Sequence, residues 1–282
     1  MIGVRVHGSV ALVTGGSSGI GAAIAERLAA RGAQVLVHGH LAEEVEAISE
    51  RLGGRGLVAD FAMPEQRTGL AREALAAFGR VDILVANAGL GWSGPFTEMP
   101  LDRLRRVVDV NLLGHMELTR LLLPGMVERD CGSVCFTSSI AGRLGVAGEA
   151  VYAASKAGID MFAESLRAEA AGTGVEIGVV VPAAVRTGFF DRRGRPYDRT
   201  LPRPIAPEVV ADAALRMITD GTPETWVPGW LRAAAAIRTL APAGYRRLSR
   251  RFGEPIRLTG PNSGDTASGG RAATGDAATG QG

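Results

Sequence analysis

Short apolar runs alternate with stretches of helical periodicity along most of the chain. Val10–Thr14 is the first such run, and Ile24, Ala25 and Leu28 then recur at helical spacing as far as Arg31-Gly32. The alternation continues with a strand at Gln34–His38, a helix at Ala42–Leu52, a strand at Gly56–Ala59, a helix at Pro64–Phe78 and a strand at Val81–Ala86. One long helix is expected from Leu101 to about Met126, then a fifth strand at Ser133–Thr137 and a helix to about Ala171. A sixth strand at Val175–Val181, a helix from Pro207 and a last strand at Thr225–Pro228 complete the pattern. Strands this rich in Val, Ile and Leu, without polar alternation, are those buried on both faces. Repeated βα units of this kind predict a single doubly wound α/β domain over residues 1–228. Its seven-stranded sheet is mostly parallel, with right-handed crossovers and helices on both faces.

Two segments fall outside that pattern. Residues 229–257 carry Leu231, Ile237, Leu240, Tyr245, Leu248 and Phe252 at near-helical spacing, interrupted at Pro242, with seven arginines from Arg232 to Arg257 against one acid, Glu254. This basic amphipathic extension is expected to pack on its own domain or a neighbouring subunit, with contact to an anionic membrane surface as the alternative. Residues 258–282 are almost all Gly, Ala, Thr, Ser and Asp; they cannot bury a core and are expected to be disordered.

Composition narrows the function. Hydrophobic residues make up 46% and charged residues 21%, enough for a sizeable core. A net charge of +2 gives no case for nucleic acid as a partner. The chain has no apolar run able to cross a bilayer, and its start lacks a charged-then-apolar leader, which places it in the cytoplasm. Cys131 and Cys135 bracket the start of the fifth strand, roughly 13 Å apart, beyond disulfide reach, and read as buried thiols. The four histidines lack metal-ligand spacing, so no metal is expected.

The chemistry concentrates where strands end. The first strand runs into Gly15-Gly-Ser-Ser-Gly-Ile-Gly21 and a helix follows, the opening of a Rossmann-type dinucleotide-binding fold. Glycines let backbone approach a pyrophosphate, whose charge rests on the N–H groups at the helix start. Asn87-Ala-Gly89 ends the fourth strand, Ser139 follows the fifth, and Asn111 interrupts an otherwise apolar and charged helix where its propensity is poor. Tyr152 and Lys156, four residues apart, share one helix face. Lys156 is the only lysine among 31 basic residues. A lysine beside a tyrosine favours the phenolate and makes the hydroxyl a usable proton donor and acceptor.

Taken together, Thr14-Gly-Gly-Ser-Ser-Gly-Ile-Gly21, Asn87-Ala-Gly89, Asn111, Ser139 and Tyr152-x-x-x-Lys156 resemble the short-chain dehydrogenase/reductase family over about residues 10–217. The resemblance implies hydride transfer between a nicotinamide and a carbonyl or secondary alcohol. Tyr152 would exchange the proton, Ser139 would bind the same oxygen, Lys156 would hold the nicotinamide ribose, and Asn111 would hold a water linking Lys156 to solvent. Gly15, Ser17, Ser18, Gly19, Ile20 and Gly21 would cradle the nucleotide, with Asp60 and Phe61 near the adenine and Asn87, Ala88, Gly89, Val185 and Thr187 along its length. A homodimer or homotetramer is implied as well.

Cofactor choice is read after the second strand. NAD-selective sites place an acid there for the ribose 2′-hydroxyl. The stretch His38-Gly39-His40 has none, which favours NADP(H) with His40 near the 2′-phosphate; NAD(H) remains the alternative. By the same resemblance residues 183–206, rich in arginine and including Phe189, Phe190 and Tyr197, would fold over the substrate; a lid suited to an anionic group and a solvated mobile loop are equal readings of that charge. Ala183 stands where the family usually has glycine, so the path of that loop is expected to differ. An NADPH-dependent ketoreductase is the favoured reading. An NAD-dependent alcohol dehydrogenase and a non-catalytic nucleotide sensor are its rivals.

Overall fold

A computed structural model describes residues 3–197 and 202–252. Its centre is a seven-stranded sheet in the order β3-β2-β1-β4-β5-β6-β7, every neighbouring pair parallel. The strands are β1 (Val10–Val13), β2 (Gln34–Gly39), β3 (Arg55–Val58), β4 (Ile83–Ala86), β5 (Gly132–Thr137), β6 (Val175–Pro182) and β7 (Glu224–Val227). Successive side chains along a strand point to opposite faces, and both faces are covered. Leu12, Leu36, Leu84 and Phe136 join one core cluster, while Ala11, Val13, Val35 and Val85 join the other. That double burial is why the strands read as continuous apolar runs.

Helices α1 (Gly19–Ala29), α2 (Ala42–Leu52) and α3 (Pro64–Phe78) link the first four strands, and α3 opens on Pro64, whose fixed φ suits a first helical turn. The long helix expected from Leu101 is three pieces: α4 (Leu101–Val108), a π-helical turn (Asp109–Leu113) and α5 (Gly114–Glu128). The sequence flagged the place, since Asn111 sits in the π turn, but periodicity alone does not distinguish one wide turn from a continuous helix. A short α6 (Ile140–Leu144) precedes α7 (Ala150–Glu169), and α8 (Phe189–Arg192) and α9 (Pro207–Asp220) follow β6. Neither α6 nor α8 was expected, each being too short to show a period. Cys131 is exposed in the turn before β5, not buried as predicted; only Cys135 is, and burial pushes its thiol up to about 12.

The C-terminal extension forms α10 (Leu231–Leu240) and α11 (Pro242–Phe252), parted at Pro242 as expected. It rests on its own domain: Leu231 is buried, Arg238 donates to the Arg143 carbonyl, and the Tyr245 hydroxyl donates to the Leu144 carbonyl at 3.1 Å. Among the described residues, no helix is long and apolar enough to cross a membrane. The predicted tail and residues 198–201 of the predicted lid lie outside the described residues.

Candidate active site

The order of strands reverses between β1 and β4, so a crevice opens at their carboxyl ends. Thr14 stitches the two together. Its hydroxyl donates to the Val85 carbonyl at 3.2 Å and accepts from the backbone N–H of Asn87 (2.9 Å) and Ala88 (3.1 Å). The Asn87 amide nitrogen returns to the carbonyls of Thr14 (3.1 Å) and Gly15 (3.3 Å). Gly15 and Gly19 take φ of +61° and +55°, which a side chain would oppose. A Cβ on Gly21 would lie 2.0 Å from the Gly15 carbonyl oxygen. Helix α1 begins at this loop with Ser18 as its N-cap residue; the Ser18 side chain makes no capping bond, and no acid occupies the first turn. The first turn of α1 thus carries no acid of its own, and its positive end is a cradle that fits a pyrophosphate.

One cavity of about 520 Å³ runs from this loop across β4 and β5 to the start of α7. Every predicted site residue lines it except Gly21 and Asn111. Gly21 lies behind the loop, making its tight turn possible. Asn111 is fully buried beneath the wall: its Oδ1 accepts from the Leu90 N–H (2.7 Å), and its Nδ2 donates to the Leu90 carbonyl (2.9 Å) and the Ser155 hydroxyl (3.1 Å). That side chain braces the Asn87–Leu90 loop against α7, a packing duty the sequence did not suggest.

At the far end from α7, His40 lies exposed on the rim, while His38 is buried. The His38 Nδ1 accepts from the Gly15 N–H at 3.4 Å, its Nε2 sits 3.2 Å from the Ala59 carbonyl, and burial pushes its pKa down to about 4. Phe61 is buried between His38 and His115, with ring centroids 5.4 and 5.1 Å away, and lines the cavity. Burial tends to raise the Asp60 carboxyl, but the Ala62 N–H and the Arg106 guanidinium outweigh it and hold the group below its ordinary range. An acid does stand on this rim, on α2 and not at the end of β2. Glu44 lines the cavity and accepts from the Ser17 hydroxyl at 3.2 Å, one turn beyond His40. Helical spacing onto a strand-end site was the signal that would have found it.

At the other end, Lys156 is buried and its Nζ donates to the Thr137 carbonyl at 2.7 Å, 6.0 Å from the centre of the Tyr152 ring. Burial lowers its pKa to about 8, with Asp160 pulling it partly back. Tyr152 differs from the expectation of a lysine-lowered phenol. Desolvation at its hydroxyl pushes the pKa up, Glu149 adds to that, and Ser139 and Arg193 only partly oppose it. Ser139 caps α6, its hydroxyl accepting from the Ala141 N–H at 3.2 Å, and stands on the same cavity wall. Ala183 keeps an ordinary φ, its N–H bonded to the Val227 carbonyl at 2.8 Å, and Thr187 still reaches the glycine loop, its Cγ2 3.0 Å from where a Gly19 Cβ would stand.

A glycine cradle at a helix start, joined by one cavity to a tyrosine hydroxyl beside a buried lysine, defines a nicotinamide-dinucleotide oxidoreductase of the doubly wound class. The short chain dehydrogenase model matches residues 9–197, and the chain belongs to that family of oxidoreductases acting on CH–OH and C=O groups. It is 34% identical to a ketoacyl reductase, HetN, of Nostoc sp., over 87% of this chain and 90% of that one. It is 38% identical to the 3-oxoacyl-[acyl-carrier-protein] reductase FabG of Salmonella typhimurium, over 64% of this chain and 75% of that one. Among solved structures, a short-chain dehydrogenase of Sphingobium yanoikuyae in complex with NADPH superposes with a TM-score of 0.74 at 28% identity, covering 90% of this chain and 99% of that one. An enzyme of the same family from Burkholderia phymatum, in complex with NAD, gives 0.77 at 25% identity over 92% and 99%.

Proposed function

We propose that the protein is a ketoreductase, using NADPH to reduce a carbonyl to a secondary alcohol. The observation that carries this is geometric: Tyr152, Lys156 and Ser139 line one end of the cavity whose other end is the glycine loop. A bound nicotinamide dinucleotide supplies hydride to the carbonyl carbon. Ser139 donates to the carbonyl oxygen and orients it. Tyr152 gives that oxygen its proton as charge develops there, the role for which a neutral phenol is prepared. Lys156, held on the Thr137 carbonyl, presents its charge to the ribose side and steadies the tyrosinate left behind. Asn111 keeps the Asn87–Leu90 wall in place against α7. The resemblance to ketoacyl reductases supports reduction as the working direction.

His40 on the rim supports NADPH, as a partner for the 2′-phosphate. Glu44 supports a second reading, an NADH-using enzyme, because its carboxylate on Ser17 is placed to accept from a ribose hydroxyl and to repel a phosphate. Titration of the purified chain with NADPH and with NADH decides between them. Tighter NADPH binding, with oxidation of NADPH on adding a β-keto ester, is the expected result. Preference for NADH assigns the second reading, and binding of neither overturns both.

A further inference from the structure

Beyond the glycine cradle and the Tyr152 pair, one ion pair stands out by its depth. Arg193 and Glu149 retain 7% and 9% exposure, whereas Arg192, on the same segment, is exposed. The Arg193 Nη1 donates to Glu149 Oε1, its Nε donates to the Arg195 carbonyl at 3.0 Å, and its guanidinium carbon lies 4.7 Å from the centre of the Phe190 ring. Glu149 immediately precedes α7, three residues before Tyr152, so one end of the pair is anchored to the helix that carries the proton donor. The other end belongs to the segment that covers it. Phe189 lies 5.4 Å from Tyr152, Phe190 5.7 Å from Phe189, and Tyr197 4.9 Å from Phe190, a row of rings leading away from the phenol. The segment also sits hard against the β4–α4 loop: a Cβ on Gly91 would meet the Phe189 ring at 2.7 Å and the Arg193 Cβ at 2.8 Å.

Burying two opposite charges gives little net stability, because the desolvation cost offsets most of their attraction, yet removing one partner is strongly unfavourable. Such a pair holds a geometry more than it stabilises a fold. We propose that the Glu149–Arg193 pair is a positioning device that holds α8 over Tyr152, so that Phe189 forms a fixed wall of the carbonyl site and restricts it to ketones with a slim apolar body. The proposal rests on the oxidoreductase reading of this cavity. Phe189 lines the same cavity as Tyr152, Ser139, Ile140 and Val146, so with the pair intact its ring bounds the space open to a ketone. With it broken, α8 is free to lift and the site widens.

Two measurements on the full chain with NADPH test this. The first compares kcat and KM for ethyl acetoacetate and the bulkier ethyl benzoylacetate. Wild type favours the slim ester. Arg193→Met reduces that preference about tenfold, the scale of pocket discrimination, chiefly through KM, with NADPH affinity unchanged, and Arg193→Lys restores part of it. A change confined to kcat and equal for both esters would mean that the pair serves general stability and would overturn the proposal. The second is limited trypsin digestion of Glu149→Gln, following cleavage after Arg192 and Arg193, since Pro196 protects the bond after Arg195. Freeing the segment raises those rates about tenfold, as expected when a local opening loses its latch; wild-type rates would equally overturn the proposal. If wild type reduces neither ester with either nucleotide, the ketoreductase reading fails, while the digestion still decides whether the pair holds α8.

Discussion

Lys156→Met should make the nucleotide-free protein more stable at neutral pH while abolishing turnover. Burial lowers the lysine from 10.5 to about 8, which corresponds to a cost of about 3 kcal/mol for keeping it charged in the fold. The unbranched methionine fills a similar space, and Asp160 keeps its partner, Arg143, at 2.6 Å. What is lost is the 2.7 Å bond to the Thr137 carbonyl, worth about 1 kcal/mol. The balance is a gain of about 2 kcal/mol, or a melting temperature higher by roughly 4–8 °C for a domain of this size. The folded pKa lies below the unfolded one, so between about pH 8 and 10.5 the unfolded chain holds the extra proton, and wild-type stability rises with pH through that window. The variant has no such group. Its advantage is therefore full below pH 8 and fades as the pH approaches 10. Thermal unfolding followed by circular dichroism at pH 7 and pH 10, without nucleotide, measures both values. A variant that melts at or below wild type at pH 7, or a gap that does not change with pH, refutes the reasoning.

Other perturbations separate the parts of the site. Tyr152→Phe keeps the ring against Phe189 and removes the proton, so turnover should fall about 10²–10⁴-fold while NADPH binding, followed by fluorescence titration, is unchanged. Gly21→Ala drives a Cβ to 2.0 Å from the Gly15 carbonyl oxygen and 2.6 Å from the Asn87 Nδ2. The loop must move, costing about 1–3 kcal/mol in denaturant unfolding, with nucleotide binding weakened; unchanged binding would place the pyrophosphate elsewhere. Glu44→Gln removes the rim carboxylate and should tighten NADPH relative to NADH by roughly two- to fivefold, the scale of an exposed charge pair. No shift in the ratio of the two dissociation constants would show that Glu44 does not face the 2′-position.

Much of the fold was open to reading because a parallel sheet covered on both sides writes itself as uninterrupted apolar runs, and the intervening helices are long enough to show a period. The catalytic pair was open for the same reason: Tyr152 and Lys156 lie one turn apart on one regular helix, so spacing alone brings them together. What spacing did not reveal depends on distant partners or very short elements. Phe189 reaches Tyr152 from α8, a single turn of helix. Glu149 meets Arg193 across 44 residues of chain, and nothing in either local sequence marks which of several arginines turns inward. Glu44 lies beyond the end of β2, where such an acid usually stands, and only the return of the first turn of α2 to the same rim brings it to the cavity. Asn111 was noticed for its poor helix propensity, but its bonds to Leu90 and Ser155 required the π turn to aim it.

Lys156 being both the only lysine and among the most deeply placed side chains has a practical consequence. A protease that cleaves only after lysine finds a single bond in the entire polypeptide, Lys156–Ala157, inside the twenty-residue α7. Cutting there requires α7 to come apart, which in turn uncovers the main apolar cluster through Ile159 and Ala163. The rate of that one cut is therefore a native gauge of how often the molecule opens. A nucleotide seated against Lys156 would slow it in proportion to its occupancy, so conformational stability and cofactor affinity can be followed from the appearance of two fragments, without label or catalytic assay.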